Sequence, residues 1–67
     1  MEKLLKVEQV AELLQVSKRT IYDWTHVGYI PYYKFLGGVR FKQSQVERWM
    51  QKKFQPGKNE YFVSKDL

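Results

Sequence analysis

Sixty-seven residues with no cysteine, a single histidine (His26) and a formal net charge of +5 describe one small domain, near the lower size limit for folding without staples. That composition excludes a disulfide framework and a thiolate metal site, and a zinc site would have to rest on carboxylates, so no metal or other cofactor is expected. No apolar run reaches the ~18 residues needed to span a bilayer, and the opening Met-Glu-Lys-Leu-Leu-Lys lacks the apolar core of a signal peptide, so no membrane partner and a cytoplasmic location are expected.

Stability must then come from a packed apolar core, for which two Trp, four Phe and five Tyr supply large rings. The charge is unevenly placed. Residues 1–16 set Lys3 and Lys6 against Glu2, Glu8 and Glu12, whereas residues 17–42 set Lys18, Arg19, Lys34, Arg40 and Lys42 against Asp23 alone. Residues 43–67 carry five cations and three carboxylates. A cationic middle third points to a polyanionic partner, nucleic acid ahead of a membrane surface.

Val7, Val10, Ala11 and Leu14 follow helical spacing, with Leu13 widening the stripe, and predict a first helix over 7–14. Lys6 stands where a capping Ser, Thr or Asp would be expected, so that helix begins on a weak cap. Gln15 and Val16 leave only a tight turn before Ser17, and Gln15 must adopt the left-handed conformation that glycine would take more cheaply.

The second helix is predicted over 18–27. Ser17 caps it, Val16 and Ile21 can form a hydrophobic staple, and Gly28 and then Pro31 end it. Ile21 and Trp24 make its inward stripe, while Lys18, Arg19, Thr20, Tyr22 and Asp23 offer long or hydrogen-bonding groups outward. An anchored helix with basic and polar groups in its first turn suits the DNA major groove. Ile30 is expected to fold back onto the core, and His26 to be local structure in the last turn.

Residues 32–42, aromatic and β-branched around Gly37-Gly38, predict a β-hairpin. A three-residue loop, Leu36-Gly37-Gly38, would pair Phe35 with Val39 and Tyr33 with Phe41, keeping one face apolar. Lys34 and Arg40 would then oppose each other, a repulsion that an anionic partner would relieve. Ser44 and Glu47 have capping-box spacing and predict a third helix over 45–54, with Val46, Trp49, Met50 and Phe54 inward and Pro56-Gly57 beyond its end. Residues 1–57 thus form the expected domain. Residues 58–67, with Tyr61, Phe62 and Val63, are expected to be a short flexible tail or a segment that packs on a partner.

The predicted order is helix, tight turn, helix, hairpin, helix: mainly α with a small β-hairpin, a winged helix-turn-helix. Leu13 to Trp24, then Gly28-Tyr29-Ile30-Pro31, Val39-Arg40-Phe41 and Val46-Glu47-Arg48-Trp49 together resemble the excisionase-type helix-turn-helix proteins, relatives of the MerR winged-helix domain, over about residues 4–54. The resemblance implies a second helix in the major groove and a wing near phosphates or the minor groove. By motif position, Ser17, Lys18, Arg19, Thr20 and Tyr22 would face double-stranded DNA from the helix, and Arg40 from the wing. Lys34 and Lys42 would add phosphate contacts.

Three departures stand out. Asp23 replaces a commonly basic residue, so it accepts from a cytosine amino group or repels phosphate. The wing tip lacks an arginine. Gln15 and Lys6 replace small turn and cap residues. Relatives of this size, from bacteria or phage, bind and bend attachment-site DNA and direct an integrase toward excision. On that basis the partners expected are DNA and an integrase or recombinase, with the protein monomeric in solution, cooperative on repeated sites and nucleoid-associated when bound. The alternatives are a small phage or plasmid transcriptional regulator, and a protein-interaction module on the same fold with Tyr29, Tyr61 and Phe62 at its interface. No nucleophile–base pair or phosphate-cradling loop suggests an enzyme.

Overall fold

The computed structural model describes residues 1–57, so the expectations for the tail, Tyr61, Phe62 and Val63 included, lie outside the described residues. The chain runs β1 (Leu4–Leu5), α1 (Val7–Leu14), α2 (Lys18–His26), β2 (Tyr33–Phe35), β3 (Gly38–Lys42) and α3 (Gln43–Gln51). This is the winged helix-turn-helix read from the sequence, with one addition: β1 joins the hairpin as a third antiparallel strand in the order β1-β3-β2. Two residues are too few to show an alternating pattern, which is why β1 has no sequence signal. Among the described residues no helix is long and apolar enough to cross a membrane.

The core draws one or a few side chains from each helix and from the central strand. Val7, Val10 and Ala11 come from α1, Ile21 from α2, Ile30 from the connection, Phe41 from β3 and Val46 from α3. Leu5, Leu14, Val16, Trp24, Val39 and Trp49 pack around them. Ile30 therefore does fold back, and Val16 and Ile21 meet in one cluster as a staple requires. Thr25 is buried one turn beyond Ile21. Its hydroxyl donates to the Tyr22 carbonyl at 2.7 Å, so this buried hydroxyl is paired.

Helices α1 and α2 end in the same way. Gln15 adopts φ 60°, ψ 45°, and the Val16 and Gln15 N–H groups donate to the Ala11 and Glu12 carbonyls at 2.9 and 3.2 Å. Gly28, at φ 73°, closes α2, with Tyr29 N–H donating to Trp24 and Gly28 N–H to Thr25. Both are Schellman turns. Gln15 performs the role expected of it, and its side-chain amide adds a bond to the Glu12 carbonyl at 3.0 Å.

Several expectations are corrected. The cap of α1 is stronger than Lys6 suggested, because the Gln9 side chain reaches back to accept the Lys6 N–H at 2.8 Å. Leu13 does not widen the buried stripe; it is exposed. The hairpin turn is Leu36-Gly37. Tyr33 pairs with Arg40, Lys34 with Val39 and Phe35 with Gly38, so the three-residue loop does not form, although Gly38 does take a positive φ of 135°. Strand β2 is exposed on both faces, so burial exerted no choice of register on its aromatic residues.

The Ser44–Glu47 capping box is absent as well. Helix α3 starts directly from β3 at Gln43, which makes Ser44 a helical residue. Its N–H and hydroxyl donate to the two oxygens of Glu2 at 2.8 and 2.9 Å. A carboxylate at a helix N-terminus satisfies orphan donors and complements the dipole. Those bonds, the backbone one first, together with the charge of nearby Lys42, hold the Glu2 carboxyl below its ordinary pKa. Helix α3 also ends at Gln51. Lys53 and Phe54 N–H groups donate three residues back, to Met50 and Gln51, tightening and closing the last turn. Phe54 consequently lies beyond the helix, and both it and Met50 are exposed rather than buried.

Candidate nucleic-acid interface

Helix α2 is fixed at three places. At its start, Ser17 Oγ accepts the Thr20 N–H at 3.1 Å. In its middle, Ile21 and Thr25 are buried against the core. At its end, the Trp24, Tyr29 and Trp49 rings meet edge-on or tilted, with centroids 5.2–5.8 Å apart, tying α2 to α3. Lys53 Nζ lies 4.7 Å from the Tyr29 centroid and 4.8 Å from that of Trp49, adding cation–π attraction.

With the inner face so held, the outer face is presented in one orientation. Lys18, Arg19, Tyr22 and Asp23 are exposed on it. Ser17 and Thr20 contribute less than free hydroxyls would. Their oxygens are 2.9 Å apart, and one donates to the other, so the pair retains one O–H for an external acceptor.

The wing comes to this helix at one point. A shallow cleft of about 310 Å³ is lined by Tyr22 of α2, by Gly37 to Arg40 of the wing and by Lys6, Val7 and Glu8 at the start of α1. Tyr22 and Arg40, placed apart in the sequence, thus border a single concavity. The Arg40 guanidinium folds back over the turn. Its Nη1 donates to the Val39 carbonyl at 2.7 Å and would only touch a Cβ at Gly38, 3.4 Å away, so it is the positive φ of 135° that favours glycine there. Its remaining N–H groups make no further hydrogen bond among the described residues.

Lys34 does not oppose Arg40. It lies across from Val39, and since directly opposed residues share a face, the two cations are on opposite faces of the ladder. The repulsion expected from the sequence is therefore absent, and it gives no sign of an anion beside the ladder. Lys34 is nonetheless exposed on the outer strand. Lys42 is separate from the cleft: it lines a small depression with Ser44, Gln45 and Arg48 at the start of α3.

A sequence profile of the helix-turn-helix domain, excisionase-like in type, matches residues 4–53, from β1 to just past α3. The chain belongs to that helix-turn-helix family. Searches of curated proteins and of solved structures find no significant match. A helix-turn-helix domain supports DNA binding, and α1, the Gln15 turn and α2 are the two helices and turn of that motif here.

Two residues of the site carried no functional signal in the sequence. Lys6 was read only as a poor cap, yet it lines the cleft beside Tyr22 and Arg40. Tyr33 was assigned to an apolar face, yet its hydroxyl accepts from the Gln45 amide at 2.9 Å and ties the wing to α3. The register decides both the wing's partners and its attachment, and the register was the element that the pattern of side chains misjudged.

Proposed function

We propose that this helix-turn-helix protein is a sequence-specific DNA-binding accessory factor of the excisionase type, not an enzyme, acting beside an integrase or recombinase. The observation that carries the reading is the exposed first turn of α2, with Lys18 and Arg19 projecting from a helix whose cap, core face and far end are all fixed. Such a turn can enter the major groove without reorganising, so little of its contact energy is lost to ordering.

In this reading Arg19 and Lys18 bond guanine edges or phosphate, and Thr20 and Tyr22 touch thymine methyls or backbone. The outward hydroxyl of the Ser17–Thr20 pair donates to a phosphate. Asp23 accepts from a cytosine amino group or excludes phosphate from its position. Arg40, Lys34 and, farther along β3, Lys42 bind flanking phosphates, which position the protein rather than specify sequence. One short helix gives modest affinity, so copies monomeric in solution act together on repeated sites. Bending of the attachment site follows from engaging helix and wing at once.

Binding-site selection from a random duplex pool, followed by a circular-permutation mobility assay on the selected site, tests this. A short repeated consensus with a bend is expected, and where an integrase gene adjoins this one, adding that integrase should shift recombination toward excision. A consensus without bending or effect on the integrase would leave a repressor-like DNA-binding protein in place of the accessory factor.

A further inference from the structure

The α2–β2 connection and α3 border an open groove of about 670 Å³. Its walls include Tyr29, Tyr32, Tyr33 and Trp49, and its other side carries Arg48 of α3 and Lys52, the residue that caps the end of that helix. No carboxylate lines it among the described residues. The Gln45–Tyr33 bond closes the wing end, and the Trp24–Tyr29–Trp49 cluster with Lys53 stiffens the other. Arg48 also borders the depression that holds Lys42, whereas Lys52 and Lys53 lie outside the proposed DNA interface. The groove begins at Gly28, past the end of α2, with roughly 12 Å of helix between Lys18 and His26.

We propose that this groove docks an acidic peptide segment of a protein partner, with carboxylates on Arg48 and Lys52 and an apolar side chain against the Tyr and Trp walls. Charge complementarity names the occupant: paired cations without a neighbouring carboxylate, beside apolar rings, match a peptide that alternates acidic and apolar groups. Tyr, Trp and Arg are also the side chains that most often anchor protein contacts. Nucleic acid fits less well. A duplex presents phosphates to such a surface without the apolar side chain that the Tyr and Trp walls would cover. The inference is independent of the excisionase reading.

The test titrates the full chain with a fluorescent synthetic peptide of glutamates around a central Leu-Phe pair, and with its glutamine counterpart. Tryptophan fluorescence and backbone amide shifts provide the readout. Saturable binding of the acidic peptide, with shifts at Gln45, Arg48, Trp49 and Lys52, is expected. The Arg48→Gln/Lys52→Gln double variant should lose roughly tenfold or more in peptide affinity, and Lys52→Gln alone, which leaves the depression around Lys42 intact, should weaken the peptide while keeping duplex affinity within about twofold. Absence of saturable binding, or equal binding of the glutamine peptide, overturns the proposal. So does a parallel loss of duplex affinity in Lys52→Gln, which would assign the groove to nucleic acid. Groove shifts that appear with rising protein concentration and persist unchanged when peptide is added would assign it to a second copy of the chain.

Discussion

Helix α2 and the β2–β3 wing both carry exposed cations, but they are held in different ways. The helix is capped by Ser17, buried through Ile21 and Thr25, and clamped at its end by the aromatic cluster. The wing's outer strand is exposed on both faces and rests on its ladder to β3 and the Gln45–Tyr33 bond. A side chain on α2 therefore projects from a fixed frame, and a side chain on β2 from an adaptable one. Base edges demand placement to within a few tenths of an ångström, whereas phosphates tolerate long, mobile cations. The division of labour proposed above follows from this difference in anchorage.

The largest effect should come from removing the anchor. Ile21→Ala leaves a cavity at a fully buried position and should cost about 2–5 kcal/mol, enough to unfold much of so small a domain. Phe35→Ala on the half-exposed outer strand should cost less than about 1 kcal/mol. Thermal melts followed by circular dichroism would separate the two, and equal losses would erase the distinction between helix and wing.

Next in size is a change in recognition. Arg19→Ala should lose roughly 1–3 kcal/mol on the selected site and relax the preference at one base position, while Lys34→Ala should weaken all sequences alike. Affinity measured on the selected site and on single-base variants of it shows which pattern each substitution follows. A uniform loss for Arg19→Ala would move that residue from base reading to phosphate contact.

Smaller effects concern the frame of α2. Ser17→Ala removes the cap and should cost about 1 kcal/mol in denaturant melts. Gln15→Gly relieves the left-handed strain, less the entropy that glycine loses on folding, and should gain about 0.5 kcal/mol. A destabilised Gln15→Gly variant would mean that the Gln15–Glu12 side-chain bond outweighs the strain.

The smallest effect is set by pH. The Glu2 carboxyl titrates lower in the folded chain than in the unfolded one, so its contribution is complete above the ordinary carboxylate range and disappears as pH falls through the folded value. Melting temperature should therefore drop on acidification by more in the wild type than in Glu2→Gln. Identical slopes would remove Glu2 as the cap of α3.

What was legible in the sequence follows the range of the forces involved. The bounds of α1, the Ser17 cap, the left-handed Gln15 and the Gly28 stop depend on neighbours within a turn or two, and all appear where the residues place them. The four family blocks around them carried the helix-turn-helix assignment. The start of α3 was not legible, because Glu2 supplies the cap from 42 residues away and displaces the local Ser44–Glu47 pair. Phe54 continued an apolar pattern past the point where α3 had already closed. The wing register was hidden for the opposite reason: with β2 buried on neither face, no hydrophobic pattern selects it. For the site, Lys18, Arg19, Tyr22 and Asp23 could be placed on an exposed helix, but the meeting of Tyr22, Arg40 and Lys6 at one cleft is a product of tertiary packing.

The most direct test of the account is a salt-dependent titration of the chain with mixed-sequence duplex DNA, with backbone amide shifts read in parallel. Binding at low salt that falls steeply as salt rises is predicted, with shifts concentrated at residues 17–23 and around Arg40, and a slope shallower by about one in Lys34→Ala. No binding at low salt, or binding whose shifts spare α2, would contradict it.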